Sequence, residues 1–179
     1  MAGRVGINGF GRIGRSFTRA ILARGGQAQV ELVAVNDPFG DAETMAFLLK
    51  HDSVGRTIPN EIKHGETGFS IDGREVKKLE TREPSEIPWA DNGVDVVIES
   101  TGLFTSREKA AAHLNGGAQR VIISAPSGDA DAMICMGVND DTFDAKAHTV
   151  ISNASCTTNC LAPLAKVLND TFGIEQGLI

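Results

Sequence analysis

The sequence predicts an α/β fold, a doubly wound and mostly parallel sheet with helices on both faces. Three observations predict it. Short β-branched runs alternate with helix-spaced apolar residues along most of the chain. Those runs are apolar at nearly every position, as strands buried on both faces must be, and helices intervene between them. No repeat and no low-complexity linker interrupts the 179 residues, a length suited to one domain with a sizeable core.

Taken in order, Arg4–Asn8 reads as the first strand, followed by a glycine-rich turn. Gly11–Ala23 carries Ile13, Phe17, Ala20 and Ile21 at helical spacing and stops at Gly25-Gly26. Val30–Asn36 is a second strand, after which Asp41 caps a helix running to about Lys50, with Met45, Leu48 and Leu49 as its apolar positions. Residues 53–89 have a different texture, with short strand-like pieces and a hairpin signal at Ile71-Asp72-Gly73-Arg74, and predict an antiparallel excursion. Val94–Glu99 restores the buried-strand pattern. Thr105-Ser106-Arg107-Glu108 reads as a capping box opening a helix that Gly116-Gly117 ends. Three more strands follow, at Arg120–Ala125, Asp131–Met136 and His148–Asn153. The last helix, Cys156–Thr171, turns Leu161, Leu164, Val167 and Leu168 inward and ends at Gly173.

Composition excludes several classes of function. A formal charge of −6 argues against a nucleic-acid partner held by bulk positive charge. No apolar run approaches the length of a bilayer span, and MAGRVGINGF enters a strand without a secretory h-region, so no membrane partner and a cytoplasmic location are expected. Cys135, Cys156 and Cys160 are odd in number and have neither disulfide nor zinc spacing, so all three read as reduced thiols and no metal is expected.

Two places carry chemistry. Gly9-Phe10-Gly11-Arg12-Ile13-Gly14 is a G-x-G-x-x-G between the first strand and the first helix. Gly9 permits the tight turn, Gly11 admits a pyrophosphate to the backbone, and Gly14 allows close helix–sheet packing. The N–H groups of Arg12 and Ile13 at the helix N-terminus would face the phosphates. An ordinary turn is the competing reading of the motif alone. Asp37, closing the second strand, weighs against it. Its carboxylate stands where one receives the ribose hydroxyls of NAD and repels the extra phosphate of NADP, although a lone Asp before Pro38 is also a common turn cap. Together these features make the sheet Rossmann-type. The second place is Ser152–Cys160, SNASCTTNC, which joins the last strand to the last helix. A thiol at a helix N-terminus feels the positive end of the dipole, and the same N–H groups can hold an oxyanion. Buried structural thiols suit Cys160, facing Pro163 and Leu164, and Cys135 inside an apolar run. Polar neighbours make Cys156 the exception.

With these residues in view, the chain resembles the glyceraldehyde-3-phosphate dehydrogenases. VGINGFGRIGR at 5–15 and SNASCTTNC carry the resemblance. VNDPF at 35–39, ESTGLF at 99–104 and ISAP at 123–126 support it. The resemblance implies an NAD-binding domain over residues 1–154 and the beginning of a catalytic domain over 155–179. It implies that Arg12 and Ile13 contact the pyrophosphate and Asp37 the adenosine ribose. Arg82 and Ser124 would lie along the cofactor site, and Thr101 and Gly102 near its adenine side. Cys156 would be the nucleophile, with Ser155 and Thr157 touching substrate. The implied reaction is oxidation of glyceraldehyde 3-phosphate with inorganic phosphate to 1,3-bisphosphoglycerate in glycolysis, by a homotetramer when complete. The family's histidine base falls on the strand after the cysteine helix, beyond Ile179, so the 179 residues alone are expected to be inactive. The four histidines present (His51, His64, His113, His148) match no catalytic position and read as surface residues. Two alternatives stay open: an erythrose-4-phosphate-type aldehyde dehydrogenase, and a non-catalytic NAD-binding module.

Overall fold

The structure is a computed structural model and describes residues 3–178. Its strands are β1 (Gly3–Asn8), β2 (Val30–Asn36), β3 (His51–Asp52), β4 (Arg56–Thr57), β5 (Ile62–His64), β6 (Gly68–Ile71), β7 (Arg74–Leu79), β8 (Val96–Glu99), β9 (Arg120–Ile123), β10 (Ala132–Met133) and β11 (Val150–Ser152). Its α-helices are α1 (Arg12–Arg24), α2 (Ala42–Lys50), α3 (Arg107–Asn115) and α4 (Cys156–Phe172). Nine strands form one sheet in the order β10-β11-β9-β8-β1-β2-β7-β6-β5, and β3-β4 pair separately.

The doubly wound, mostly parallel α/β prediction is met. From β10 to β7 every neighbouring pair is parallel; β6 is antiparallel to both β7 and β5, which is the predicted excursion. Asp72 and Gly73 both have positive φ (50° and 81°) at the β6–β7 turn, the geometry that matches the twist of a two-residue hairpin. Adjacent residues Val97 and Ile98 of β8 belong to separate apolar clusters, so both sheet faces are covered. On one face Ile98, Val5, Ile7 and Leu32 meet Phe17 of α1 and Met45 and Leu49 of α2. On the other, Val97 packs with Trp89 and Ile87, and its register partner Val121 packs under Ala110 of α3.

Several details differ from the expectation. Helix α3 starts one residue later than the capping box implied: Ser106, not Thr105, accepts the N–H of Lys109. A lysine at that third position cannot reciprocate, so a simple cap replaces the box. β10 and β11 are shorter than read, because side chains take the ladder's place. Asp131 accepts the N–H groups of Thr149 and Val150, and Asn139 bridges Cys135 N–H and Met133 C=O. In α1 the buried row is Gly14 and Thr18, with Ile13 and Ala20 exposed, since glycine and not a large side chain meets the sheet. The last helix departs most: none of its residues is buried, and Leu161, Leu164, Val167 and Leu168 are 42–64% exposed. Periodicity says which residues share a face; it does not supply anything to lie against it.

Candidate cofactor and thiol site

Six parallel strands end side by side. Register aligns Asn8 with Asn36 and Glu99, Asn36 with Leu79, Glu99 with Ile123, and Ile123 with Ser152. The chain leaves β1 toward β2 and later returns to β1's other side as β8, so the order reverses at β1. Crevices at such a reversal, outside the carboxyl ends of the strands, are where open α/β sheets bind ligands. A cleft of about 400 Å³ lies there, lined by Gly9, Gly11, Asp37, Phe39, Arg82 and Thr101 among others. A hollow of similar size, about 420 Å³, sits at the opposite edge between Leu22, Val30 and Arg74 and has no glycine loop.

The glycines divide by what demands them. Gly9 has φ +89°, and a Cβ on it would lie 2.8 Å from the Thr101 nitrogen. A Cβ on Gly14 would meet the Gly9 carbonyl oxygen at 2.4 Å. At Gly11 an added Cβ meets nothing within 4 Å, and its φ of −70° suits any residue, so the fold itself does not require glycine there. Gly11 is also the N-cap of α1 and provides no side-chain bond, with no acidic residue in the first turn. Asp41, Ser106 and Ser155 cap the other three α-helices. The N–H groups of Arg12 and Ile13 have no partner among the described residues, so this helix end is left suited to an anion.

Asp37 serves the loop as well as facing the cleft: Oδ2 accepts the N–H of Phe10 at 2.8 Å and Oδ1 that of Phe39 at 2.9 Å. Arg82 is exposed, its guanidinium carbon 5.5 Å from the Phe39 ring centroid. Thr101 is held by Glu99, and Gly102 follows in a left-handed conformation (φ +76°) with open space around it. Ser124 stands at the end of β9, its N–H on the Glu99 carbonyl at 2.9 Å, outside the lining of the cleft.

Cys156 lies on the same edge of the sheet, beyond β11, and is exposed. Ala154 is buried with φ +56°, a conformation that costs a residue with a Cβ about 1–3 kcal/mol, and it turns the chain from β11 into α4. Ser155 is the N-cap, its Oγ accepting Thr158 N–H at 2.9 Å and lying 2.9 Å from the Thr157 hydroxyl. Cys156 is therefore the first helical residue, and its N–H and that of Thr157 have no partner among the described residues. All three cysteines are free; Cys135 is buried, 3.6 Å from Asn159 Oδ1. Cys160 is exposed, against expectation, because Pro163 and Leu164 lie on the same uncovered helix.

His51 and His64 are exposed and His148 half-buried, but His113 is wholly buried, again against expectation. It shares the inward row of α3 with Ala110 and bonds Trp89 and Glu99. The sequence carries a signal for this: Asn8, Asn36 and Glu99 are polar residues that end the apolar runs of three strands. Among the described residues there is no cluster of three or more His, Cys, Asp or Glu able to hold a metal, and no helix long and apolar enough to cross a membrane.

Comparison with known proteins agrees with this geometry. The family model "Glyceraldehyde 3-phosphate dehydrogenase, NAD binding domain" matches residues 3–107, and that family's "C-terminal domain" matches 155–179. The chain is 54% identical to glyceraldehyde-3-phosphate dehydrogenase of Streptomyces coelicolor over 98% of this chain and 52% of the relative. It is 54% identical to that of Coccidioides posadasii over 100% and 52%, and 54% identical to "Glyceraldehyde-3-phosphate dehydrogenase, cytosolic" of Scenedesmus vacuolatus over 96% and 54%. The chain thus spans about half the length of these curated relatives. With a glycine loop at the sheet's reversal, a strand-end acid beside it and a helix-terminal thiol on the same edge, the chain belongs to the glyceraldehyde 3-phosphate dehydrogenase family.

Proposed function

We propose that this chain carries the NAD site and the nucleophile of a phosphorylating glyceraldehyde-3-phosphate dehydrogenase. One observation supports this most: an uncapped helix behind a glycine turn and a helix-terminal thiol share one edge of a single parallel sheet. The residues present fit NAD. Free N–H groups of Arg12 and Ile13 suit a pyrophosphate, and the lack of side chain at Gly11 lets it come close. Asp37 accepts from the ribose hydroxyls and repels a 2′-phosphate. Arg82, Thr101, Gly102 and Ser124 flank the nucleotide. When bound, NAD supplies the hydride acceptor.

The remaining chemistry falls to the chain. Sγ of Cys156 attacks the aldehyde carbon of glyceraldehyde 3-phosphate, giving a hemithioacetal; the thiol proton passes to the histidine that the family places on the strand after the cysteine helix. N–H groups of Cys156 and Thr157 stabilise the oxyanion, and Ser155 and Thr157 orient the substrate. Loss of hydride leaves a thioester on Cys156. Inorganic phosphate attacks its carbonyl carbon, releasing the thiolate and 1,3-bisphosphoglycerate. The same reading divides the chain after Ala154, with residues 1–154 as cofactor domain and 155–179 in the catalytic domain, and expects a cytoplasmic homotetramer. The test is steady-state NADH formation by the full-length protein with glyceraldehyde 3-phosphate and phosphate. A higher kcat/KM for erythrose 4-phosphate, or turnover that survives Cys156→Ala, overturns it.

A further inference from the structure

Buried polar groups at the strand ends converge on one carboxylate. Glu99 is 1% exposed; its Oε2 accepts from Asn8 Nδ2 at 2.6 Å and His113 Nε2 at 2.9 Å. Its Oε1 accepts the Thr101 N–H at 2.8 Å and the Thr101 hydroxyl. For the amide and imidazole bonds the direction is forced. Trp89 Nε1 can only donate, so His113 Nδ1, 3.1 Å away, accepts, and the ring proton sits on Nε2 facing Glu99. The Thr81 N–H can only donate to Asn36 Oδ1 (2.9 Å). Asn36 Nδ2 then faces Asn8 Oδ1 at 2.8 Å, which turns Asn8 Nδ2 toward Glu99. Two chains of donors, begun by a backbone amide and an indole, end on the same carboxylate. Glu99 must therefore accept from Asn8, from His113 and from the Thr101 N–H.

What Glu99 holds is a wall of the cleft. Thr101 lines it, and its backbone lies so close to Gly9 that only glycine fits there. Ser100 Oγ, between them, donates to the Gly9 carbonyl at 2.7 Å. We propose that Glu99 is a positioning residue for the cofactor: as the all-acceptor end of this network it fixes Thr101 and the Gly9 turn in the relation that NAD requires. This rests on the reading of the cleft as the NAD site.

Glu99→Gln keeps the shape, yet either orientation of the amide sets an NH₂ against donors. The double variant Asn8→Asp/Glu99→Gln exchanges carboxylate and amide at constant net charge. The new carboxylate at position 8 accepts from Asn36, from the new amide at 99 and from His113 Nε2, which lies 3.4 Å from the Asn8 Nδ2 that the carboxylate replaces; the amide oxygen at 99 still serves Thr101. NAD affinity by calorimetry and thermal stability are measured for the full-length wild type and both variants. The expectation is NAD binding weakened roughly tenfold or more in Glu99→Gln, since hydrogen bonds to a buried charge are lost, and restored to within about threefold by the exchange. A Glu99→Gln protein that is destabilised but binds NAD like wild type makes the network purely structural and overturns the proposal. So does an exchange variant no better than the single one. If Glu99→Gln does not fold, the exchange decides alone: folding with near-wild-type affinity supports the role, and failure to fold refutes it. Wild type that binds no NAD refutes the cleft reading itself, and this role with it.

Discussion

Substituting alanine at Gly11 and at Gly14 separates what the fold needs from what the cofactor needs. A Cβ at position 14 would sit 2.4 Å from the Gly9 carbonyl oxygen, where ordinary contact begins near 3.4 Å, so an atom must give by 3.4 − 2.4 = 1.0 Å. The oxygen belongs to a turn already pinned by Thr101, and Ile7 and Ser100 crowd the same Cβ at 3.0 and 3.2 Å. Gly14→Ala is therefore placed at the upper end of overpacking costs, about 3 kcal/mol, or a melting point lower by about 6–12 °C for a protein of this size. Gly11→Ala meets no atom within 4 Å and keeps an allowed φ of −70°. Its cost, limited to a poorer helix cap, stays below about 1 kcal/mol. With a methyl group where the proposed site brings the pyrophosphate to the backbone, however, its NAD affinity is expected to fall by roughly tenfold or more. Urea unfolding and NAD calorimetry on both variants read the two effects separately. Wild-type affinity in Gly11→Ala refutes the pyrophosphate placement; wild-type stability in Gly14→Ala refutes the packing account.

Asp37→Ala is expected to weaken NAD binding by about 1–3 kcal/mol and to narrow the preference over NADP, because the ribose acceptor and the anchor of the Phe10 N–H are lost together; equal wild-type affinities for the two cofactors in calorimetry would refute this. Brief, substoichiometric iodoacetamide labelling followed by peptide mass spectrometry is expected to find Cys156 modified first. Cys160 is also exposed, so its labelling is not prevented by burial and the helix terminus sets the order; dominant label on Cys160 or Cys135 removes the assignment. Burial by itself would raise the pKa of Asp131, but the N–H of Val150, the Arg107 guanidinium and Thr149 outweigh it and hold the group well below the usual carboxylate range. A pKa lower folded than unfolded gives stability that is full above about pH 4 and lost as pH falls toward the folded value. Asp131→Asn is thus expected to lose stability at pH 7 and a smaller amount at pH 3, where part of the carboxylate's advantage is already gone, and an equal loss at both contradicts the assignment.

By itself the sequence determined what depends on neighbours a few positions apart. The strand-turn-helix at Gly9–Gly14, the Asp41 cap, the 72–73 hairpin and the thiol at the start of the last helix are of this kind, since helix periods, caps and turn dihedrals are local. The family signature in SNASCTTNC was legible for the same reason. Only the tertiary structure decided what depends on which strands lie side by side. Asn8 and Glu99 are 91 residues apart, and nothing between them announces that β8 will run along β1. That pairing buries His113 and turns three polar strand ends into one network. The pairing of β1 with β2 likewise brings Asp37 to the Phe10 N–H, 27 residues away in the chain. The exposed face of α4 makes the same point in reverse: its apolar period is written in the sequence, but burial belongs to a pair of surfaces, and none of the described residues covers this one.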